Sequence, residues 1–144
     1  MDESTTKQLE KVLASIDAEK QMEEFMGNPK VTDHFRSFPE YYQSLPEVQA
    51  KESSDLIQDS GLERSYYYQV MKGTRNPGRD KVLRLCLAAG LSLRQTTRAL
   101  ELSGNAILYA RSRRDIILTV AVNQKAGVID TNLLLDKYGE EPLA

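Results

Sequence analysis

The 144-residue chain has no tryptophan, one cysteine and one histidine, and these shortages exclude several classes of function. A single thiol, Cys86, excludes an internal disulfide bond and any metal site built from several thiolates. With His34 as the only imidazole, we expect neither histidine-based catalysis nor a histidine-rich metal cage. The sequence also lacks a Gly-rich phosphate loop and a nucleophile placed beside a base. We therefore expect no enzymatic activity, no catalytic residue, no cofactor and no bound metal.

Long apolar runs are absent as well. None approaches the roughly 18 residues of a membrane span, and Met1-Asp2-Glu3 is unlike the start of a signal peptide. We expect a cytoplasmic protein that has no membrane partner. Hydrophobic residues make up 40% of the chain, which is enough for one core, and the shortage of aromatic residues predicts that this core is aliphatic.

Charge is distributed unevenly along the chain. Residues 1–60 contain 6 Lys and Arg against 13 Asp and Glu, residues 61–114 contain 11 against 3, and residues 115–144 contain 2 against 5. A basic middle between acidic ends favours a face that binds a polyanion. Acidic ends that fold against a basic middle would give the same pattern.

The spacing of apolar residues predicts a protein that is helical nearly throughout. In residues 1–29, a T-x-x-Q capping box at Thr5 and Gln8 starts an amphipathic helix, and Gly27-Asn28-Pro29 ends it. Its apolar stripe over residues 5–26 consists of Leu9, Val12, Leu13, Ile16, Met22, Phe25 and Met26. This helix either covers the core of the domain or serves as an arm for dimerisation or regulation.

Further helix boundaries are marked by serine and proline. Ser37-Phe38-Pro39-Glu40 supplies an N-cap, a first-turn proline and a glutamate that can reach back to the cap. Pro46 should kink or divide the helix that follows, because proline removes a backbone donor. Ser53 or Ser54 is then expected to cap a short helix that ends at Ser60-Gly61.

Residues 79–108 repeat in residues 114–143 at a constant offset of 35, without gaps. The apolar positions share one phase, and the identical pairs are Arg79/Arg114, Asp80/Asp115, Leu83/Leu118, Thr96/Thr131, Leu100/Leu135, Gly104/Gly139 and Leu108/Leu143. Each copy is predicted to be a helical hairpin that starts with an aspartate suited to the helix dipole and ends with glycine. Two copies are too few for a solenoid. We therefore expect the hairpin of residues 104–144 to extend the core of the first.

Residues 53–93 have the organisation of a helix-turn-helix followed by a supporting helix. Gly61-Leu62 forms the turn, and residues 63–72 form the second helix, with Glu63 at the N-cap position. Tyr67 and Val70 are spaced to face the core. The outward side then carries Arg64, Ser65, Tyr68, Gln69 and Lys72.

In a helix-turn-helix the second helix enters the DNA major groove. We predict that base edges are read by Arg64, Ser65, Tyr68 and Gln69. Phosphates are expected to be contacted by Tyr66, Lys72, Arg75, Arg79, Lys81 and Arg84, which set register and affinity. The basic cluster at Arg111, Arg113 and Arg114 crowds a predicted helix N-terminus, which disfavours cations. It binds either an external anion or acidic groups of the same chain, namely Asp115 or glutamates of the acidic N-terminal helix, and we favour the second interpretation.

The run from Asp55 to Leu93 resembles the helix-turn-helix core of the lambda-repressor/Cro-like family, also called the xenobiotic-response-element family of bacterial regulators. The resemblance is carried by Leu56-Ile57, Gly61-Leu62, the Tyr67 and Val70 anchors, Gly73, the Arg75-x-Pro77 loop and the helix ending Ala89-Gly90-Leu91. It covers residues 33–103, and residues 109–143 resemble the helical extension of a Firmicutes-type subset of that family. The resemblance implies an all-α bundle of five short helices, with a phosphate contact from Ser53 and groove reading by Arg64, Ser65, Tyr68 and Gln69.

Double-stranded DNA is accordingly the expected partner, and the expected function is sequence-specific transcriptional regulation. A homodimer is expected because one reading helix covers only about half a site. The competing hypothesis is a protein-interaction module, such as an antitoxin, an anti-repressor or an adaptor, that binds a partner through the acidic helix of residues 5–26.

Overall fold

Eight α-helices and no strand are found in residues 35–144, the part of the chain that the computed structural model describes. The helices are α1 (Phe38–Ser44), α2 (Pro46–Gln49), α3 (Ser53–Ser60), α4 (Arg64–Met71), α5 (Arg79–Ala89), α6 (Leu93–Leu102), α7 (Arg113–Asn123) and α8 (Val128–Lys137). The expectation of an all-α protein is confirmed for these residues, and none of their helices is long and apolar enough to cross a membrane. The predicted amphipathic helix of residues 1–29 and His34 lie outside the described residues.

Helix starts follow the caps that the sequence provides. The Ser37 hydroxyl accepts a hydrogen bond from the backbone N–H of Glu40 in α1, and Ser92 forms a capping box with Gln95 in α6. Pro46 divides the predicted helix into α1 and α2, because proline suits the first turn of a helix and cannot continue a preceding one.

The core is aliphatic except for an aromatic layer contributed by α1 and for Tyr67 of α4. Phe38, Tyr41 and Tyr42 of α1 lie at helical spacing and are all buried, and Tyr42 and Phe38 are the largest fully buried side chains. The prediction of an aliphatic core is therefore wrong for α1 and α4. A buried phenol needs a partner, and Tyr42 donates to the carbonyl of Leu85 at 2.8 Å. Burial raises the pKa of this phenol, so it remains a donor at all ordinary pH values.

The sequence repeat corresponds to two similar helical hairpins, α5–α6 and α7–α8. The second helices, α6 and α8, begin and end at positions 35 residues apart. Each hairpin turn has a left-handed residue at the matching position, Gly90 with a φ of 67° and Lys125 with a φ of 57°. Fully buried pairs complete the match, namely Thr96/Thr131 and Leu100/Leu135. The prediction that the second hairpin extends the core is confirmed, because α7 packs against α6 and α8 packs against α5.

Two crossed ion pairs join the starts of the hairpins. Arg79 of the first hairpin holds Asp115 of the second through hydrogen bonds of 2.9 and 2.7 Å. Arg114 of the second holds Asp80 of the first through hydrogen bonds of 3.2 and 3.0 Å. Each arginine thus binds the aspartate of the other copy in a bidentate manner, although an aspartate follows it directly in its own copy. This exchange indicates an approximate two-fold relation between the hairpins.

The segment after α8 lies against α5. Arg84 donates from Nε to the carbonyl of Ala144 and from Nη2 to that of Leu143, both at 2.8 Å. Asp80 accepts a hydrogen bond from the backbone N–H of Ala144 at 2.9 Å. The side chain of Leu143 is buried in the same core cluster as α5. These contacts fix the position of the Arg84 guanidinium.

Candidate nucleic-acid interface

Helices α3 and α4 are joined by residues 61–63, which turn the chain sharply. Gly61 ends α3 with a φ of 72°, a left-handed conformation that glycine adopts without steric cost. Glu63 occupies the N-cap position of α4, as predicted. The C-terminal end of α4 is held by Gln43 of α1, whose Nε2 donates to the carbonyl of Met71 at 3.0 Å. The C-terminal end of α4 is therefore fixed to α1.

Helix α4 turns an apolar side to the core and a polar side to solvent. Tyr67 and Val70 are only 3% and 0% exposed, and α1 packs against α4. Burial raises the pKa of the Tyr67 phenol, and a hydrogen bond with Ser53 partly offsets that shift. The opposite side is exposed and carries Arg64, Ser65, Tyr68, Gln69 and Lys72. This is the orientation that the sequence predicts.

The three consecutive tyrosines occupy three different environments. Tyr67 is buried, Tyr66 is half-buried, and Tyr68 is 38% exposed. The Tyr68 ring packs edge-on against that of Tyr67, with the ring centroids 5.3 Å apart. This contact restricts the rotation of Tyr68, so α4 presents a fixed aromatic surface beside its polar groups.

Arg75 connects the exposed side of α4 with the loop that follows it. Its Nε donates to Oε1 of Gln69 at 3.1 Å, and its guanidinium lies 5.3 Å from the centroid of the Tyr66 ring. The loop also folds back on α4, because the backbone N–H groups of Thr74 and Arg75 donate to the carbonyl of Gln69 at 3.0 and 3.3 Å. Arg75 and Gln69 thus form one coupled unit, whereas the sequence assigns them to separate roles.

Two asparagines that the sequence reasoning missed hold this loop in place. Asn76 donates to the carbonyl of Ser103, and Asn105 donates to the carbonyl of Pro77, both at 3.2 Å. These hydrogen bonds attach the loop to the end of α6. The only sequence signal is that each asparagine lies next to a turn residue, Pro77 or Gly104, where a side-chain amide often bonds to nearby backbone.

Of the predicted phosphate contacts, Ser53 and Lys72 are exposed and Lys81 is half-buried. The predicted cap at Ser53 or Ser54 is wrong, because Glu52 is the N-cap residue of α3 and Ser53 is its first helical residue. Ser53 is nevertheless exposed beside Tyr67. Lys72 is exposed at the end of α4, whereas Lys81 on α5 is half-buried.

Arg79 and Arg84, which the sequence predicts to contact phosphates, lie in internal networks of hydrogen bonds. Besides its ion pair with Asp115, Arg79 donates to the carbonyls of Ala106 and Ile107 at 2.8 and 3.0 Å. The hydrogen bond to Asp115 is also the main reason why the pKa of the Arg79 guanidinium is raised. Arg84 donates to three backbone carbonyls. Because their donors are engaged within the fold, we omit both from the candidate interface.

The basic cluster before α7 is largely neutralised within the chain. Arg114 binds Asp80, and Nε of Arg113 lies 3.6 Å from a carboxylate oxygen of Glu140. The favoured intramolecular pairing is confirmed for these two arginines, although their partners are not those named from the sequence. Arg111 is exposed and has no partner within residues 35–144.

Acidic side chains lie next to the candidate interface. Glu52, Asp55 and Asp59 are exposed along α3, and Glu63 is exposed at the start of α4. Residues 53–78 contain three Asp and Glu and three Lys and Arg, so their net charge is zero. The cations lie on α4 and its loop, which makes that side the one that a polyanion can approach.

Residues 35–144 contain no group of three or more His, Cys, Asp or Glu side chains that could hold a metal ion. Cys86 is buried, and burial raises the pKa of its thiol to about 12.

Comparisons of the chain with family models, with curated proteins and with solved structures found no match.

Proposed function

We propose that this protein is a sequence-specific transcriptional regulator that binds double-stranded DNA. In this proposal α3 and α4 form a helix-turn-helix of the lambda-repressor/Cro-like type, α5 supports them, and residues 63–72 enter the major groove. The observation that carries the proposal is the orientation of α4. Its buried side is anchored by Tyr67 and Val70, and its free side carries side chains that can bind base edges.

The dimensions of α4 suit the groove. An α-helix with its side chains is about 10–12 Å across, which fits the width of about 12 Å of the major groove, and the 8 residues of α4 extend about 12 Å along the axis. Arg64 lies in the first turn, where recognition helices contact bases, and arginine pairs bidentately with guanine. The exposed ring of Tyr68 suits a thymine methyl group, and Ser65 can bond to either kind of base edge. Each well-placed bidentate pair is worth about 1–3 kcal/mol of discrimination.

Gln69 has the further property of being oriented before DNA binds. Because Oε1 accepts from Arg75, the amide is held in one orientation and Nε2 remains a free donor. Oε1 retains a second lone pair, so a bidentate contact with adenine is compatible with this hydrogen bond. Arg75 then has two functions, since it positions Gln69 and adds positive charge near the DNA backbone.

The phosphate contacts proposed here are Ser53, Tyr66, Lys72 and Arg75, all at the edge of the exposed side of α4. Lys72 and Arg75 are the two cations among them in each protein chain. A duplex whose phosphates bind both would give a slope of log K against log salt of about −1.8 for each chain. Salt dependence is therefore a direct test of the interface.

The test is a titration of a fluorescent duplex at several salt concentrations with the full chain and with Lys72→Ala. We expect Lys72→Ala to weaken binding on all sequences and to make the slope shallower by about 0.9. Arg111→Ala is the control, because Arg111 is an exposed cation outside α4 that has no partner within residues 35–144. An equal effect of the two substitutions would show that binding is not localised to α4, and no binding at low salt would contradict the proposal.

A protein-interaction module is the second candidate, and the acidic side of α3 favours it. Glu52, Asp55 and Asp59 would attract a basic protein partner as readily as they would repel a phosphate backbone. The predicted binding segment, residues 5–26, lies outside the described residues. Under this hypothesis, deletion of residues 1–28 abolishes partner capture, and Lys72→Ala leaves it unchanged.

A further inference from the structure

An apolar groove lies between α7 and α8 on the outer side of the C-terminal hairpin. Its volume is about 310 Å³, and it is lined by Arg113, Ile116, Ile117, Val120, Leu134 and Tyr138. Ile116, Val120 and Tyr138 are 47%, 41% and 47% exposed. Clustered exposed apolar side chains of this kind mark an interaction surface.

The internal repeat shows what kind of element covers such a groove. Val120 and Leu134 correspond, at the offset of 35, to Leu85 and Ala99 of the first hairpin. Both of those residues are fully buried, because α1 packs on α6 and Tyr42 donates to the carbonyl of Leu85. Among residues 35–144, the same face is thus closed by a helix in the first hairpin and left open in the second. A helix is therefore the expected occupant of the open groove.

The charge of the groove fits a second copy of the chain. A surface that binds its own copy about a two-fold axis brings like charges together, so it cannot have a large net charge of one sign. Within residues 35–144, Arg113 is the only charged residue that lines the groove, and it is paired with Glu140. One further cation lies at the rim, because Nζ of Lys137 is 5.7 Å from the centroid of the Tyr138 ring. The groove is thus apolar in its centre and has only a small net charge at its rim.

From these observations we infer that the α7–α8 groove is a homodimer interface. The α7 helix of each protomer, with Ile116 and Val120, fills the groove of its partner, and the four helices form a short antiparallel bundle. The α7 helix has 11 residues and is about 16 Å long, so the buried area falls at the low end of specific interfaces, below about 1,200 Å². We therefore expect a reversible dimer with micromolar or weaker affinity.

This inference does not depend on DNA binding. The helices that form the groove pack on α5 and α6, whereas α4 packs on α1. Dimerisation through the groove would leave the polar side of α4 exposed in both protomers. The dimer and the DNA interface can therefore be tested separately.

The test is sedimentation equilibrium of the full chain over a wide concentration range, with Val120→Glu as the disrupting variant. Ile129→Glu is the matched control, because Ile129 is 76% exposed on α8 and lies about 140° around that helix from Leu134. We expect the parent chain and Ile129→Glu to associate to dimers with the same constant, and Val120→Glu to lose at least tenfold in affinity. Far-UV circular dichroism of both variants checks that the helices persist.

Three outcomes would overturn the inference. One is a Val120→Glu variant that dimerises like the parent, and another is an Ile129→Glu variant that loses affinity to the same extent. The third is a parent chain that stays monomeric at every concentration. In that case, the rates at which a thiol reagent labels Val120→Cys and Ile129→Cys would be compared to find what covers the groove. Slow labelling of Val120→Cys in a monomer would show that another segment of the same chain covers the groove. Equally fast labelling would show that the groove is open in the isolated chain.

Discussion

Replacement of Asp115 by asparagine should destabilise the fold strongly, because Asp115 is buried and binds the Arg79 guanidinium. The Asp115 carboxylate accepts two hydrogen bonds from Arg79 and one from the backbone N–H of Tyr109. Its side chain is only 7% exposed, and that of Arg79 is 25% exposed. Asparagine keeps the shape but turns an NH₂ group towards donors and leaves the guanidinium without a counter-charge. Breaking a buried pair in this way costs about 3–5 kcal/mol.

The assay is urea unfolding at neutral pH, followed by far-UV circular dichroism. Asp80→Asn is the comparison within the repeat, since the Arg114–Asp80 pair is more exposed, with both side chains at 21%, and should cost about 1–2 kcal/mol. Asp136→Asn on the exposed surface of α8 is the control and should change stability by less than about 0.5 kcal/mol. Equal stability of Asp115→Asn and the parent chain would refute the argument.

The loss should also depend on pH. Burial raises the pKa of the Asp115 and Asp80 carboxyl groups, but the arginines and backbone N–H groups that bind them outweigh burial and hold each pKa below its ordinary value of 3.8. A depressed folded-state pKa contributes stability above the ordinary value, and that stability disappears as pH falls through the folded-state pKa. The difference between Asp115→Asn and the parent should therefore be constant near neutral pH and should shrink below about pH 4. A difference that is the same at acid and neutral pH would show that the charge of Asp115 is not its source.

Three further predictions concern the core and the turns. Gly61→Ala should cost about 2–3 kcal/mol, because the added Cβ would lie 2.8 Å from Nη1 of Arg84. Gly73→Ala should cost only about 1 kcal/mol, because Gly73 has a similar φ but open space around it. Equal losses of stability in urea unfolding would contradict this. Tyr42→Phe should cost about 1 kcal/mol through the lost buried hydrogen bond, and an unchanged melting temperature would count against it. Cys86, whose thiol pKa is raised by burial to about 12, should react with a thiol reagent only at the rate of unfolding, and rapid labelling of the native chain would contradict this.

Local signals in the sequence predicted the helices of the described region well, because each signal acts within one turn of the chain. Ser37 caps α1, Pro46 divides α1 from α2, and Gly61 ends α3. The inward side of α4 was also predictable, since Tyr67 and Val70 are fixed by helical spacing alone. The two hairpins were also predictable, because residues 79–108 and 114–143 share one pattern of apolar residues at an offset of 35, and the helices α6 and α8 begin and end at that offset.

Contacts between distant residues were not predictable from such signals. Arg79 could bind DNA, its own neighbour Asp80 or the matching Asp115, and the choice depends on how the hairpins stack. Arg84 likewise binds backbone 60 positions away, at Ala144. The hydrogen bond between Gln69 and Arg75 was not predicted, because it requires the loop after α4 to fold back on the helix. Gly73 permits this with a φ of 79°.

The central claim, that the exposed side of α4 reads DNA sequence, is tested most directly by selection from a random duplex library. The full chain would be compared with Arg64→Ala and Gln69→Ala at moderate salt. We expect the parent to enrich a defined motif and each variant to relax the preference at its own base position, a loss of about 1–3 kcal/mol there, while other positions persist. No enriched motif for the parent, or the same motif for all three proteins, would contradict the account.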